Sequence, residues 1–138
     1  MKVTISDEEL VDHKVSEAHL QRAADSIHND GYVVLENVVP HHKLDMLRQK
    51  MREDLQTLVS AKEKVMPINF VKGHIQQDAP PYAPYIFREL VANPFVTQVT
   101  HKVLGDGLYN SYFSGNTNLP GSGTQPVHVD TGQLWQNL

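Results

Sequence analysis

The spacing of apolar residues divides the chain into helices in its first half and shorter extended runs later. Leu20, Ala23, Ala24 and Ile27 recur at helical spacing and predict a helix over 16–29, with Ser16 as N-cap and Asn29-Asp30-Gly31 as the stop. The β-branched and aromatic run Tyr32-Val33-Val34-Leu35 predicts a buried strand, extended by Val38 and Val39 and closed by Pro40. A longer amphipathic helix over 41–62 follows. Leu44, Leu47, Met51, Leu55, Leu58 and Val59 share one stripe of it, and most of its charges fall elsewhere. Pro67, Pro80, Pro81 and Pro84 forbid a long regular element over 65–84, which reads as a structured loop with an extended segment at 68–75. A short helix over 85–92 gives way to Asn93-Pro94, an N-cap followed by proline at the first helical position. That helix has Phe95, Val96, Val99, Val103 and Leu104 as its apolar face and ends at Gly105-Asp106-Gly107. Residues 108–114 alternate as a strand does, 116–123 are turn-rich, and 124–130 read as a further strand. At the start, residues 1–15 are polar and weakly patterned. Val3 and Ile5 suit an edge strand, and a loose polar arm fits equally well.

Helices first and strands later make the expected class α+β. A length of 138 residues suits one domain with a modest core. The chain is 40% hydrophobic and 20% charged, in the range of a soluble globular protein. A formal charge of −4, with no block of Lys or Arg, argues against a nucleic-acid partner. No apolar run approaches the ~18–20 residues of a membrane span, and residues 1–10 lack the pattern of a secretory signal. The expectation is a soluble cytoplasmic protein with no membrane partner. Cysteine is absent, so any metal must be held by His and carboxylate.

The stretch that concentrates chemistry is Gln125-Pro126-Val127-His128-Val129-Asp130. On a strand, residues two apart point to the same face, which would aim the His128 imidazole and the Asp130 carboxylate into one space. That is two thirds of the two-His, one-carboxylate set that leaves positions open on a non-haem Fe(II). No His follows Asp130. A short His-x-Asp motif is common, and the plainer reading is a half-buried strand His bonded to Asp130 or to a backbone carbonyl.

The context of that motif resembles the phytanoyl-CoA dioxygenase family, of the Fe(II)/2-oxoglutarate-dependent oxygenases. The resemblance rests on several features in order. They are the run from Asp30-Gly31-Tyr32 to Val38-Val39, the helix over 41–62, the helix opened by Asn93-Pro94 and ended at Leu104-Gly105, and the stretch from Pro120-Gly121-Ser122 to Asp130. It implies N-terminal helices packed on an incomplete double-stranded β-helix, a jelly-roll or cupin-like fold. The domain would run over 16–138 and stop short of the distal metal ligand. His128 and Asp130 would be metal ligands for Fe(II). Gln125 would contact 2-oxoglutarate, although three positions before His128 is an odd offset on a strand. The implied reaction oxidises a small organic substrate with O₂ while 2-oxoglutarate is decarboxylated to succinate.

The distal His and the Arg that pairs with 2-oxoglutarate lie further downstream in the family, so the chain reads as the N-terminal part of such an enzyme. His74 and His101 precede the motif and do not simply replace that ligand. His74 and Gln76 in the central loop, Asn116 before the motif and Trp135 after it are candidate pocket residues. Loop packing, turn chemistry and a barrel face are their plainer roles. Arg88 suits a carboxylate by chemistry alone. His41 and His42 are adjacent on a helix and cannot face one metal. Two alternatives stand beside the oxygenase: an inactive relative that binds or dimerises through unpaired strand edges, and a Zn²⁺ hydrolase using His128 and Asp130.

Overall fold

Ser6 begins the order of the N-terminus. Its side chain accepts from the Glu9 N–H at 3.3 Å, and Glu9 Oε2 accepts from the Ser6 N–H at 2.9 Å, a reciprocal capping box. The box starts helix α1 (Asp7–Asp12), preceded by strand β1 (Lys2–Thr4). The computed structural model describes residues 1–60 and 72–128. The expected continuation of the long helix past Ser60, the first half of the extended segment expected over 68–75, Asp130 and Trp135 lie outside the described residues.

Helix α2 (Glu17–Asp30) has Ser16 as N-cap and Gly31 as a left-handed C-cap at φ 80°, as its sequence predicts. Strand β2 (Val34–Glu36) is shorter than the run from Tyr32 to Val39 suggests. It pairs in parallel with β1, in the register Lys2↔Val34, Val3↔Leu35 and Thr4↔Glu36. Parallel strands need a long crossover, and α1 with α2 supplies it. Residues 1–15 are therefore not a loose arm. Val3, Ile5 and Val15 are buried together with Ala23, Phe95 and Val99, and Leu10, Leu20, Ile27, Val33, Leu35 and Val38 pack around them. The strand alternative for Val3 and Ile5 is the one observed, although three residues with a partner some thirty positions away leave almost no local signal.

Helix α3 (His41–Ser60) buries Leu47 from its apolar stripe. Strand β3 (His74–Gln76) follows, then the short α4 (Arg88–Val91) and α5 (Pro94–Leu104). Asn93 caps α5 by accepting from Phe95 N–H at 3.0 Å and Val96 N–H at 3.2 Å. Its amide donates to the carbonyls of Val38 at 2.8 Å and Glu89 at 3.0 Å. Gln98 on α5 accepts from the Val15 N–H at 3.0 Å and donates to the His13 carbonyl at 3.0 Å, which fastens the α1–α2 link to α5.

Residues 108–115 form no strand, contrary to their alternation. Tyr109 and Tyr112 are 80% and 72% exposed, so the alternation does not mark a buried face. Strand β4 instead occupies Asn116–Asn118, inside the stretch that reads as turn-rich. It pairs antiparallel with β3 as His74↔Asn118, Ile75↔Thr117 and Gln76↔Asn116. The protein is thus mixed helix and sheet, with two small two-stranded sheets among the described residues. No described helix is long and apolar enough to cross a membrane.

Glu9 carries an unusual burden for a carboxylate. It is 7% exposed and accepts from Ser6 N–H, from Ser16 N–H at 2.7 Å and from His19 Nδ1–H at 2.9 Å. Burial pushes its carboxyl up, but the bonds from Ser6, Ser16 and His19 outweigh that and hold it at about 2, below the ordinary 4.5. A carboxyl lowered on folding stabilises the protein above its unfolded pKa, and that stability is lost as pH falls from about 4.5 through about 2. Glu9→Gln is expected to cost about 2–3 kcal/mol at pH 7. In urea unfolding the gap between variant and wild type should shrink steadily below pH 4.5, and a gap independent of pH would contradict this role. Asn93→Asp keeps the cap acceptor but turns an acceptor toward two carbonyls. It is expected to lower stability by about 1–3 kcal/mol, measured by the same unfolding.

Candidate metal centre

The small sheet of β3 and β4 has two unlike faces, because successive side chains on a strand alternate. One face carries Ile75, Thr117 and, one residue past β3, Gln77. Ile75 is fully buried. Gln77 is buried as well: it accepts from Thr117 Oγ1–H at 2.9 Å and donates to the Met51 carbonyl of α3 at 2.7 Å. Between this face and α3 lies an apolar groove of ≈ 490 Å³, floored by Leu44, Leu47, Met51 and Leu55 with Arg48 and Arg52 on its lining. Sequence reasoning identified the leucine stripe but not Gln77 or Thr117. Nothing in Gln-Gln-Asp or Asn-Thr-Asn signals a partner forty residues away.

His74, Gln76 and Asn116, the residues nominated for a pocket, share the opposite face of the sheet. They do not line that groove. His74 is buried, and its Nε2–H donates to the Gly123 carbonyl at 2.7 Å. Gln76 donates to the Tyr112 hydroxyl at 2.6 Å and to Ser114 Oγ at 3.1 Å, and Ser114 donates in turn to Asp78. Asn116 sits opposite Gln76 and is exposed. His74 and Gln76 therefore hold neighbouring segments, the loop after β4 and the irregular run before it. His101 pairs with Asp106 at 2.7 Å on the surface, His41 and His42 are both exposed, and so is Arg88.

The loop after β4 is pinned closely to the start of β3. Leu119 N–H donates to the Gly73 carbonyl and Gly123 N–H to the Lys72 carbonyl, both at 2.9 Å. Gly73 permits the approach: a Cβ there would meet the Cα of Ser122 at 2.9 Å, and its φ of +81° disfavours other residues. From Gly123 the chain runs on to Gln125, half-buried, and His128, exposed.

Residues 124–128 do not form the expected strand. Pro126 has no N–H to give a ladder, and β4, the strand just before, is paired with β3. The same-face geometry expected for His128 and Asp130 is thus not carried by a strand through the described residues. Local bonding orients His128 instead. Its Nδ1 lies 2.7 Å from the Pro126 carbonyl, which can only accept. Nδ1 therefore carries a proton, and a metal-bound imidazole commonly has the nitrogen away from the metal held by such a carbonyl. The donor chemistry at His128 fits a metal. Among the described residues no three His, Cys, Asp or Glu side chains group as a metal site, and the motif's carboxylate, Asp130, lies outside them. No protein-family model matches the chain.

Gln77 is the residue on which the docking of this sheet against α3 turns. Gln77→Ala removes both the donor to Met51 and the acceptor for Thr117. It is expected to lower stability by about 1–3 kcal/mol and to speed amide exchange in β3 and β4. Unchanged exchange there would contradict the role.

Proposed function

We propose that this chain carries the N-terminal part of an Fe(II)/2-oxoglutarate-dependent dioxygenase of the phytanoyl-CoA dioxygenase type. In this reading the two small sheets belong to a double-stranded β-helix, and polypeptide beyond Leu138 supplies the distal His and the Arg for 2-oxoglutarate. The observation that supports the reading is the Gln-Pro-Val-His-Val-Asp motif, with the His128 Nδ1–H held by the Pro126 carbonyl. His128 and Asp130 are the proposed metal ligands, and Gln125 a contact for the co-substrate. The metal and 2-oxoglutarate, when bound, supply O₂ activation for oxidation of a small organic substrate. The chain's own part is to present one imidazole and one carboxylate. The carboxylate adds negative charge that favours Fe(II) over neutral ligands alone. Pro126 contributes rigidity before His128 and, through its carbonyl, the proton position on the ring.

A second reading, a binding module without catalysis, draws support from the sheets. Each has two strands among the described residues, and the edge of a small sheet is where another chain could pair. Turnover separates the two. In the full-length natural protein, His128→Ala and Asp130→Ala are each expected to abolish conversion of 2-oxoglutarate to succinate. Succinate formation that continues undiminished in either variant would overturn the oxygenase reading.

A further inference from the structure

Helix α3 meets the β3–β4 sheet along only part of its apolar stripe. Leu47 is buried, while Met51 and Leu55 are half-buried and Leu44 is 38% exposed. These four side chains floor the groove of ≈ 490 Å³ described above. That volume falls within the roughly 300–1,000 Å³ of small-molecule sites, which are mostly apolar with a few converging polar groups. Two polar residues on the lining, Gln77 and Thr117, are already spent, one on the other and on the Met51 carbonyl. The charged residues there are Asp45, Arg48 and Arg52. At 3.6 residues per turn Arg48 and Arg52 stand one turn apart on the same flank of the stripe. Asp45 meets Arg48 at 3.3 Å, but both are largely exposed, so the pair is weak. Arg52 has no ion pair among the described residues. Two guanidiniums against one carboxylate leave the groove positive, in a chain whose formal charge is −4.

We propose that this groove binds an amphipathic anion: an aliphatic chain on the floor of Leu44, Leu47, Met51 and Leu55, with one carboxylate on Arg48 and Arg52. The floor has no unspent hydrogen-bonding side chain, so a polar body would lose its water there without compensation. The flank supplies what a carboxylate needs, planar guanidinium donors that carry charge. From Leu44 to Leu55 the floor runs about 16 Å along the helix axis, room for a chain of about ten carbons. Arginine stems on such a flank also cover apolar surface. A covering role alone would not tell an anionic head from a cationic one, and the test uses that difference. The inference is independent of the iron reading. The groove lies against the face of Ile75 and Thr117, opposite His74 and Gln76, and none of its lining belongs to the segment around His128.

The test is isothermal titration calorimetry of the full-length natural protein, without added metal, against decanoate, decyltrimethylammonium and acetate, each below any micelle concentration. Decanoate is expected to bind, and decyltrimethylammonium to bind at least about tenfold more weakly. Acetate, a head without a chain, should give no heat of binding. R52Q removes one charge from an exposed position and should weaken decanoate about tenfold, with R52K recovering part of the loss. L44W narrows one end of the groove, keeps both arginines and should weaken decanoate as well. Equal affinity for decanoate and decyltrimethylammonium, or wild-type decanoate affinity in R52Q, overturns the inference. So does the absence of decanoate binding, or binding that appears only above the micelle concentration. Should L44W fail to fold, R52Q decides. Each of these failures leaves the oxygenase reading standing, because succinate formation tests that reading separately.

Discussion

The carboxylate of Glu9 is the interaction on which the N-terminal half depends. A buried carboxylate must be satisfied on all sides. Here the donors are the amide that opens α1, the amide of the residue that caps α2, and the imidazole of His19. One side chain thereby sets the angle between two consecutive helices. Those helices form the crossover between β1 and β2, so the same contact brings β1 beside β2 and puts Val3 and Ile5 into the core under α2 and α5. Gln98 repeats the device from the other side by binding Val15 and His13, at the corner between the helices.

The rest of the protein is organised by buried amides rather than by a buried charge. Asn93 joins the end of the β2 region to the start of α5 through Val38. Gln77 joins the β3–β4 sheet to the middle of α3 through Met51. An amide side chain can donate and accept at once without the desolvation cost of a charge, which suits it to fastening backbone segments that are not otherwise laddered. His74 has a comparable place at the far end of β3. The candidate ligand segment hangs from that end, beyond Gly123.

What could be read from the sequence follows from the range of the interactions involved. The bounds of α2 and α5 are local: Ser16, Gly31, Asn93 and Pro94 act within a turn of their own positions, and all four behave as their chemistry dictates. The small strands are not local. Lys2–Thr4 and Asn116–Asn118 have little strand character of their own and exist because partners arrive from residues 34–36 and 74–76. Conversely, residues 108–114 have the alternation of a strand and no ladder. Residues 124–128 contain the motif as far as His128 but do not form the strand its spacing suggests. The chemistry at His128 was legible as residue type and spacing. The Pro126 carbonyl that its Nδ1–H meets is a local contact set by the backbone conformation, whereas the His74 contact upstream depends on tertiary placement that no spacing encodes.

The proposed function requires the segment around His128 and Asp130 to bind Fe(II) together with 2-oxoglutarate. It is tested most directly by anaerobic absorption spectroscopy of the full-length natural protein. A bidentate 2-oxo acid on Fe(II) gives a visible metal-to-ligand charge-transfer band that neither component gives alone. The account predicts that this band appears in the wild type only when both Fe(II) and 2-oxoglutarate are added, and that it is missing in Asp130→Ala. A wild type that shows no band with both present, or an Asp130→Ala variant that shows it at full strength, would contradict the account.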